Sequence, residues 1–260
     1  MDWIIGFHGR STQKRSLLPG LLKIVKQLPL PVKISQYMTF ESFFIGRNSE
    51  LIEALKDEGQ RLIWIAGESG NGKTHLLSSL CNEYDSANKR IQYLNMEEAK
   101  DYSPEIIDGL EALDLIAIDA FDSVAGEYSW EEKFMHLYES ILNVNTRLII
   151  ASKNTPKGLD FKIPDLESRF SLGLLFRINP LDDDELVTAI QLHANARGFE
   201  LPKDSARFII KRTPRSVNSL IDILNILDYE SLSSQRKLTI PFVKSILKLS
   251  LIHISEPTRP

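Results

Sequence analysis

GESGNGKT (67–74) sets Gly67, Gly72, Lys73 and Thr74 at the spacing of a phosphate-binding loop, with Gly70 and Asn71 inside it. The apolar run RLIWIAG (61–67) precedes it and the helix-like THLLSSLCNEY (74–84) follows, which is the strand–loop–helix context such a loop needs. Glycines leave backbone amides free to close around phosphate oxygens, and a helix N-terminus adds partial positive charge. On this reading Lys73 reaches the β- and γ-phosphates and Thr74 ligates Mg2+. A glycine-rich turn that binds nothing is the bland alternative, and the Lys-Thr pair in register argues against it.

A partner for that chemistry stands at LIAID (115–119), where Asp119 ends an apolar strand and is expected to hold the magnesium ion. The position after it is Ala120, where many enzymes of this class carry a Glu or Asp that polarises the attacking water. Without that base, hydrolysis by this chain alone is expected to be weak. Asp122 and Asp114 are the nearby carboxylates that could substitute, and strand geometry disfavours both.

These residues need elements to position them. RLIWIAG (61–67), RIQYLNM (90–96), LDLIAID (113–119), TRLIIAS (146–152) and GLLFRIN (173–179) read as buried strands. Between them THLLSSLCNEY (74–84), PEIIDGLEAL (104–113) and WEEKFMHLYESILN (130–143) read as helices. The alternation predicts an α/β fold with a mostly parallel sheet, whose ligands bind at the carboxyl ends of the strands. After Pro180 the strands stop. LDDDELVTAIQLHANARG (181–198) has an acidic first turn and a closing glycine, and SARFIIKR (205–212), PRSVNSLIDILNILDYESL (214–232) and TIPFVKSILKL (239–249) continue as helices, giving a small all-helical domain.

Bulk properties narrow the function classes. A chain of 260 residues is long enough for one or two cores. Its net charge of −4 provides no broad basic field for nucleic acid, so DNA contact is expected to be indirect. The single cysteine, Cys81, excludes an internal disulfide and a cysteine-rich metal site and is expected in a helix core. Lys14 and Arg15 before LLPGLLKIV (17–25) faintly imitate a secretory signal, but Lys23 interrupts the run and no cleavage site follows. No stretch reaches the ~20 apolar residues that cross a bilayer, so a cytoplasmic protein with no membrane contact is expected.

GKTHLLSSL (72–80), TFESFFIGRNSELIEAL (39–55), GFELP (198–202) and QRKLTIPFVKSILKL (235–249) carry a family resemblance. In order along 26–249 they resemble the AAA+ domain of the bacterial replication initiator DnaA and, more closely, the DnaA regulatory inactivator (Hda) family. That resemblance implies an AAA+ P-loop α/β domain at 39–180 with a helical lid at 181–249. It also implies bound ADP or ATP with Mg2+, the ADP form being the active one in the family. It assigns 26–38 as a sliding-clamp-binding peptide and linker, QLPLPV (27–32) being similar to the family's clamp peptide. Pro29 and Pro31 keep such a strand extended, Gln27 is a polar handle, and Leu28 and Leu30 are apolar anchors, with Pro31 in the contact set.

DLESRF (165–170) resembles the family's arginine-finger segment, which implies that Arg169 reaches a neighbouring subunit's γ-phosphate; a simple Asp165–Arg169 pair on one helical turn is the competing reading. Two places depart from the family pattern. Lys153-Asn154 stands where Asp-Arg is usual after the fourth strand, and Asn218 aligns with the lid arginine, leaving Arg215 one turn earlier as its replacement. The expected partners are DnaA, the DNA polymerase sliding clamp (beta subunit), DNA only through the clamp, and a second copy in a homodimer or oligomer. The implied role is negative regulation of replication initiation, by stimulating hydrolysis of DnaA-bound ATP. A helicase loader or transposition helper, and a P-loop small-molecule kinase, are the competing readings. Residues 1–25 read as a basic extension, and 250–260 as a tail foreign to the fold, similar to translated adapter sequence.

Overall fold

The computed structural model describes residues 35–213, 217–234 and 238–254. Helix and strand alternate through α1 (Ser49–Lys56), β1 (Leu62–Ala66), α2 (Lys73–Ser86), β2 (Ile91–Asn95), α3 (Met96–Ala99), β3 (Leu115–Asp119), α4 (Tyr128–Ile141), β4 (Arg147–Ser152), α5 (Pro164–Phe170) and β5 (Leu174–Arg177). The five strands form one sheet ordered β2-β3-β4-β1-β5, every neighbouring pair parallel. β3 and β4 are buried along their whole length, and β1 nearly so. LIWIA, LIAID and RLIIAS therefore read as unbroken apolar runs, because a strand covered on both faces has no solvent side to alternate toward. All five predicted strands form, but β5, expected to be buried, is an exposed strand at the sheet edge.

Successive side chains of β1 supply the two faces of the core. Ile63 and Ile65 pack with α1 and α2 residues such as Leu55, Leu76 and Leu80. Trp64 points the other way, its ring 5.3 Å from Phe121 and 5.5 Å from Phe170 on α5. Cys81 lies wholly buried in the first cluster, where burial pushes its thiol up to about 12. The order of strands places three carboxyl ends side by side: β1, which runs into the phosphate loop; β4, followed by Lys153; and β3, which ends at Asp119.

The lid comprises α6 (Asp183–Ala196), α7 (Lys203–Ile210), α8 (Val217–Ser234) and α9 (Ile240–Ile254). Its first turn forms a capping box: the Asp182 carboxylate accepts from the Glu185 N–H at 2.8 Å, and the Glu185 carboxylate accepts from the Asp182 N–H at 2.9 Å. The core of the lid is aliphatic, built from residues such as Leu186, Ile190, Ala206, Leu224 and Val243.

Two further expectations are corrected and one helix is added. PEIIDGLEAL is not one helix but two 3-10 turns, Pro104–Ile107 and Leu110–Ala112. Gly109 separates them with φ of 86°, a left-handed conformation that a continuous helix cannot contain. Secondly, α1 occupies SELIEALK, within a stretch quoted above only for its family likeness. Finally, α9 runs past Leu249 to Ile254, into the segment expected to lie outside the fold; no proline or glycine interrupts the chain there until Pro257.

Candidate functional site

The loop between β1 and α2 needs its glycines for two different reasons. Gly70 and Gly72 have φ of 82° and 96°, where side chains with a Cβ are strained. A Cβ on Gly72 would also lie 2.9 Å from Phe43 Cε2, so the loop is pressed against the segment that precedes α1. Lys73 arches over this loop, its Nζ donating to the carbonyls of Gly67 at 2.6 Å and Glu68 at 3.0 Å. Burial lowers the Lys73 ammonium's pKa and Lys153 adds to that, against the opposing pull of Asp119, Asp122 and Glu68.

Asp119 is almost fully buried and fully engaged. Thr74 Oγ1 donates to Asp119 Oδ2 at 2.6 Å, the Tyr93 hydroxyl donates to the same oxygen at 2.8 Å, and the Ala120 N–H donates to Oδ1 at 2.8 Å. The Thr74 hydroxyl and Asp119 carboxylate make a pair of hard oxygen donors of the kind magnesium takes, so the residues present fit that ion. Tyr93 was not legible as a site residue. Its only sequence signal is a polar tip in the middle of the β2 run IQYLN, and burial, with the Asp119 carboxylate beside it, pushes its phenol's pKa upward.

A cavity of about 260 Å³ opens over these groups, lined by Gly70, Gly72, Lys73, Thr74 and Asp119 together with Met38 and Ile221. Met38 precedes α1 and Ile221 lies on α8, so sheet domain and lid both contribute walls that the sequence motifs did not indicate. Asp122 and Lys153 line it too, but Asp122 is committed: its carboxylate accepts from the Lys153 N–H at 3.0 Å and sits 3.4 Å from Lys153 Nζ. Asp114 is excluded as a base, because it lies at the opposite end of β3, where its carboxylate accepts from the Arg90 N–H at 2.8 Å. Asn154 serves structure, its carbonyl accepting from the Trp64 indole at 2.9 Å.

His75, next to Thr74, connects the loop to the lid. Its Nε2 donates to the Thr39 carbonyl at 2.9 Å, and its ring lies 4.7 Å from that of His193 on α6. Burial brings the pKa of His75 down to about 4 and that of His193 to about 3, so both are neutral near pH 7.

Arg169 is not among the residues lining the cavity. It sits on α5 with its Nε 3.2 Å from Asp165 Oδ2, the helical-turn pair weighed above, and its guanidinium 5.9 Å from the centre of the Tyr138 ring. Gln27, Leu28, Leu30, Pro31 and Arg215 lie outside the described residues, and Asn218 falls on α8 with its side chain outside that set. Among the described residues no cluster of three metal-binding side chains occurs, and no helix is long and apolar enough to cross a membrane.

The family model for the bacterial DnaA ATPase domain matches residues 34–177, more than half of the chain. The chain belongs to this DnaA family of AAA+ proteins. A second model, the Hda lid domain, matches residues 182–247, so the DnaA-type ATPase domain carries an Hda-type lid. Domain III of DnaA from Thermotoga maritima superposes with a TM-score of 0.67 at 20% identity, covering 82% of this chain and 97% of that one. AMPPCP-bound DnaA from Aquifex aeolicus gives 0.62 at 24% identity, with 77% and 68% covered. The RuvB Holliday junction branch migration motor of Thermotoga maritima gives 0.59 at 18% identity, with 82% and 73% covered. At these identities the likenesses carry the fold, which a DnaA and a branch-migration motor share.

Proposed function

We propose that this DnaA-family protein is a replication regulator that holds adenine nucleotide in its own cavity and accelerates hydrolysis of ATP bound to DnaA. The observation that carries the reading is an Hda-type lid directly behind a DnaA-type ATPase domain in one chain. In the protein's own cavity the backbone amides around Gly70 and Gly72 would face the phosphates, Lys73 the β- and γ-oxygens, and Thr74 with Asp119 the magnesium ion. The metal would neutralise phosphate charge there. Ala120 offers no carboxylate to a water, and Asp122 is already paired with Lys153, which supports a holding role over rapid turnover.

Catalysis in this account falls on the partner. Arg169 exchanges Asp165 for the γ-phosphate of DnaA-bound ATP, its guanidinium donating to the oxygens on which charge grows. Water oxygen bonds to the γ-phosphorus as the bond to the β,γ-bridging oxygen breaks. The electron pair leaves on ADP, one water proton goes to phosphate and the other to solvent. QLPLPV (27–32) docks the protein on DNA-loaded sliding clamp, which accounts for a DNA-directed function in a chain of net charge −4.

The test is hydrolysis of ATP preloaded on DnaA, with and without clamp on DNA, by wild type and by Gln27→Ala/Leu28→Ala. Clamp-dependent stimulation lost in the variant supports the reading. A wild-type protein that binds nucleotide and clamp yet leaves the rate unchanged refutes it.

A further inference from the structure

Glu131 is the one wholly buried carboxylate among the described residues, and its hydrogen-bond partners there are all backbone amides. From α4 its Oε1 accepts from the N–H of Gly126 at 2.7 Å and of Lys162 at 3.1 Å, and its Oε2 accepts from the N–H of Ile163 at 2.7 Å. Two loops distant in sequence are thereby tied together. They are in close contact: Gly126 has φ of 86°, and a Cβ on it would stand 3.3 Å from the Asp160 carbonyl. Ile163 is also the residue that enters α5, and its carbonyl accepts the Leu166 N–H at 3.0 Å.

The underside of α5 is fixed by Leu166 and Phe170, both fully buried, the latter packed on Trp64 and Phe121. Apolar burial presses the helix onto the core, and it supplies no directional bond to the backbone at the helix entrance. Directional bonds at that entrance fix the helix's position, and a carboxylate shared by consecutive amides is the strong form of such a bond. We propose that Glu131 is a positioning residue for Arg169, setting where α5 delivers the guanidinium; this rests on the reading that Arg169 acts on a partner's phosphate.

Glu131→Gln keeps size but turns an NH2 group toward one of the amides, donor facing donor. The experiment measures single-turnover hydrolysis of DnaA-bound ATP against concentration of this protein, with DNA-loaded clamp, for wild type, Glu131→Gln, Glu131→Asp and Arg169→Ala. Alongside it, hydrogen exchange is followed in segment 160–170 and in the strands. The expected result is a maximal rate lowered about tenfold or more in Glu131→Gln, within the ~100-fold that an ångström of misplacement can cost. Half-saturating concentration and the variant's own ADP affinity stay within about twofold of wild type. Glu131→Asp, which keeps the charge, recovers part of the rate, and exchange quickens in 160–170 with the strands unchanged.

A wild-type maximal rate in Glu131→Gln overturns the proposal, as does unchanged exchange in 160–170. If wild type stimulates but Arg169→Ala does so equally, the finger reading fails, and the proposal with it. If wild type itself fails to stimulate, the partner reading falls, and the exchange data decide whether Glu131 holds α5. Should Glu131→Gln loosen the whole chain, Glu131→Asp carries the same comparison.

Discussion

Asp119 in the cavity accepts three hydrogen bonds and is only 4% exposed, whereas Arg169 on α5 holds one carboxylate at 3.2 Å and leaves 37% of its side chain in solvent. The first group is organised by its own chain: hydroxyls from α2 and β2 and an amide after β3 converge on it before any ligand arrives. The second is held by an exposed helical-turn pair of the kind worth about 0–1 kcal/mol, so a phosphate can take the arginine at little cost. One region is ordered by its own side chains, and the other leaves its arginine loosely held.

The largest expected effect separates the two regions. Arg169→Ala should lower the stimulated hydrolysis of DnaA-bound ATP by roughly 10³ or more, with no change in this protein's own nucleotide affinity. Stopped-flow titration with a fluorescent ADP analogue, run beside the hydrolysis assay, checks both halves. A joint loss of affinity and stimulation would merge the regions that the structure keeps apart.

Acid should act through the histidine pair beside the cavity. The pKa of His75 is about 4 and that of His193 about 3 in the folded protein, below the ordinary value of 6.5. The unfolded chain therefore binds more protons between pH 6.5 and these values. Their contribution is complete above pH 6.5 and drains away as pH falls toward 4 and then 3, on the order of 3 kcal/mol per imidazole. Urea denaturation from pH 7 to 4 should show that slope, and His193→Leu should flatten it. The neighbouring Arg197 further lowers both histidines and should leave the direction unchanged.

Within the cavity, Asp119→Asn replaces a charged acceptor by an amide. Losing charge-assisted bonds of about 1.5–3 kcal/mol should weaken magnesium-dependent binding of an ATP analogue roughly 10- to 100-fold. Binding in the presence of EDTA should change little. Tyr93→Phe removes one donor from the same carboxylate and should cost about 1 kcal/mol of stability, read as a shifted urea midpoint at constant m-value.

Sequence and structure agree best where local pattern and tertiary role coincide. The central strands β1, β3 and β4 were legible because burial on both faces makes each a continuous apolar run, and the phosphate loop because Gly72, Lys73 and Thr74 are adjacent in the chain. Tyr93, Met38, Ile221 and Glu131 were not. Each reaches its place through sheet order, lid packing or a long-range loop contact, and none carries a local signature. Gly109 shows the converse, a residue whose left-handed backbone overrides an otherwise helical run. Arg169 occupies a middle case, since the Asp165 pair is written in the i, i+4 spacing, while the proposed action on another molecule is not.

The most direct test of the central claim preloads DnaA with γ-labelled ATP and this protein with ADP, then follows phosphate release in one turnover on DNA-loaded clamp. Rapid release is expected with wild type and background release with Arg169→Ala, although the variant still joins the complex by co-sedimentation. Equal release by both proteins would contradict that claim.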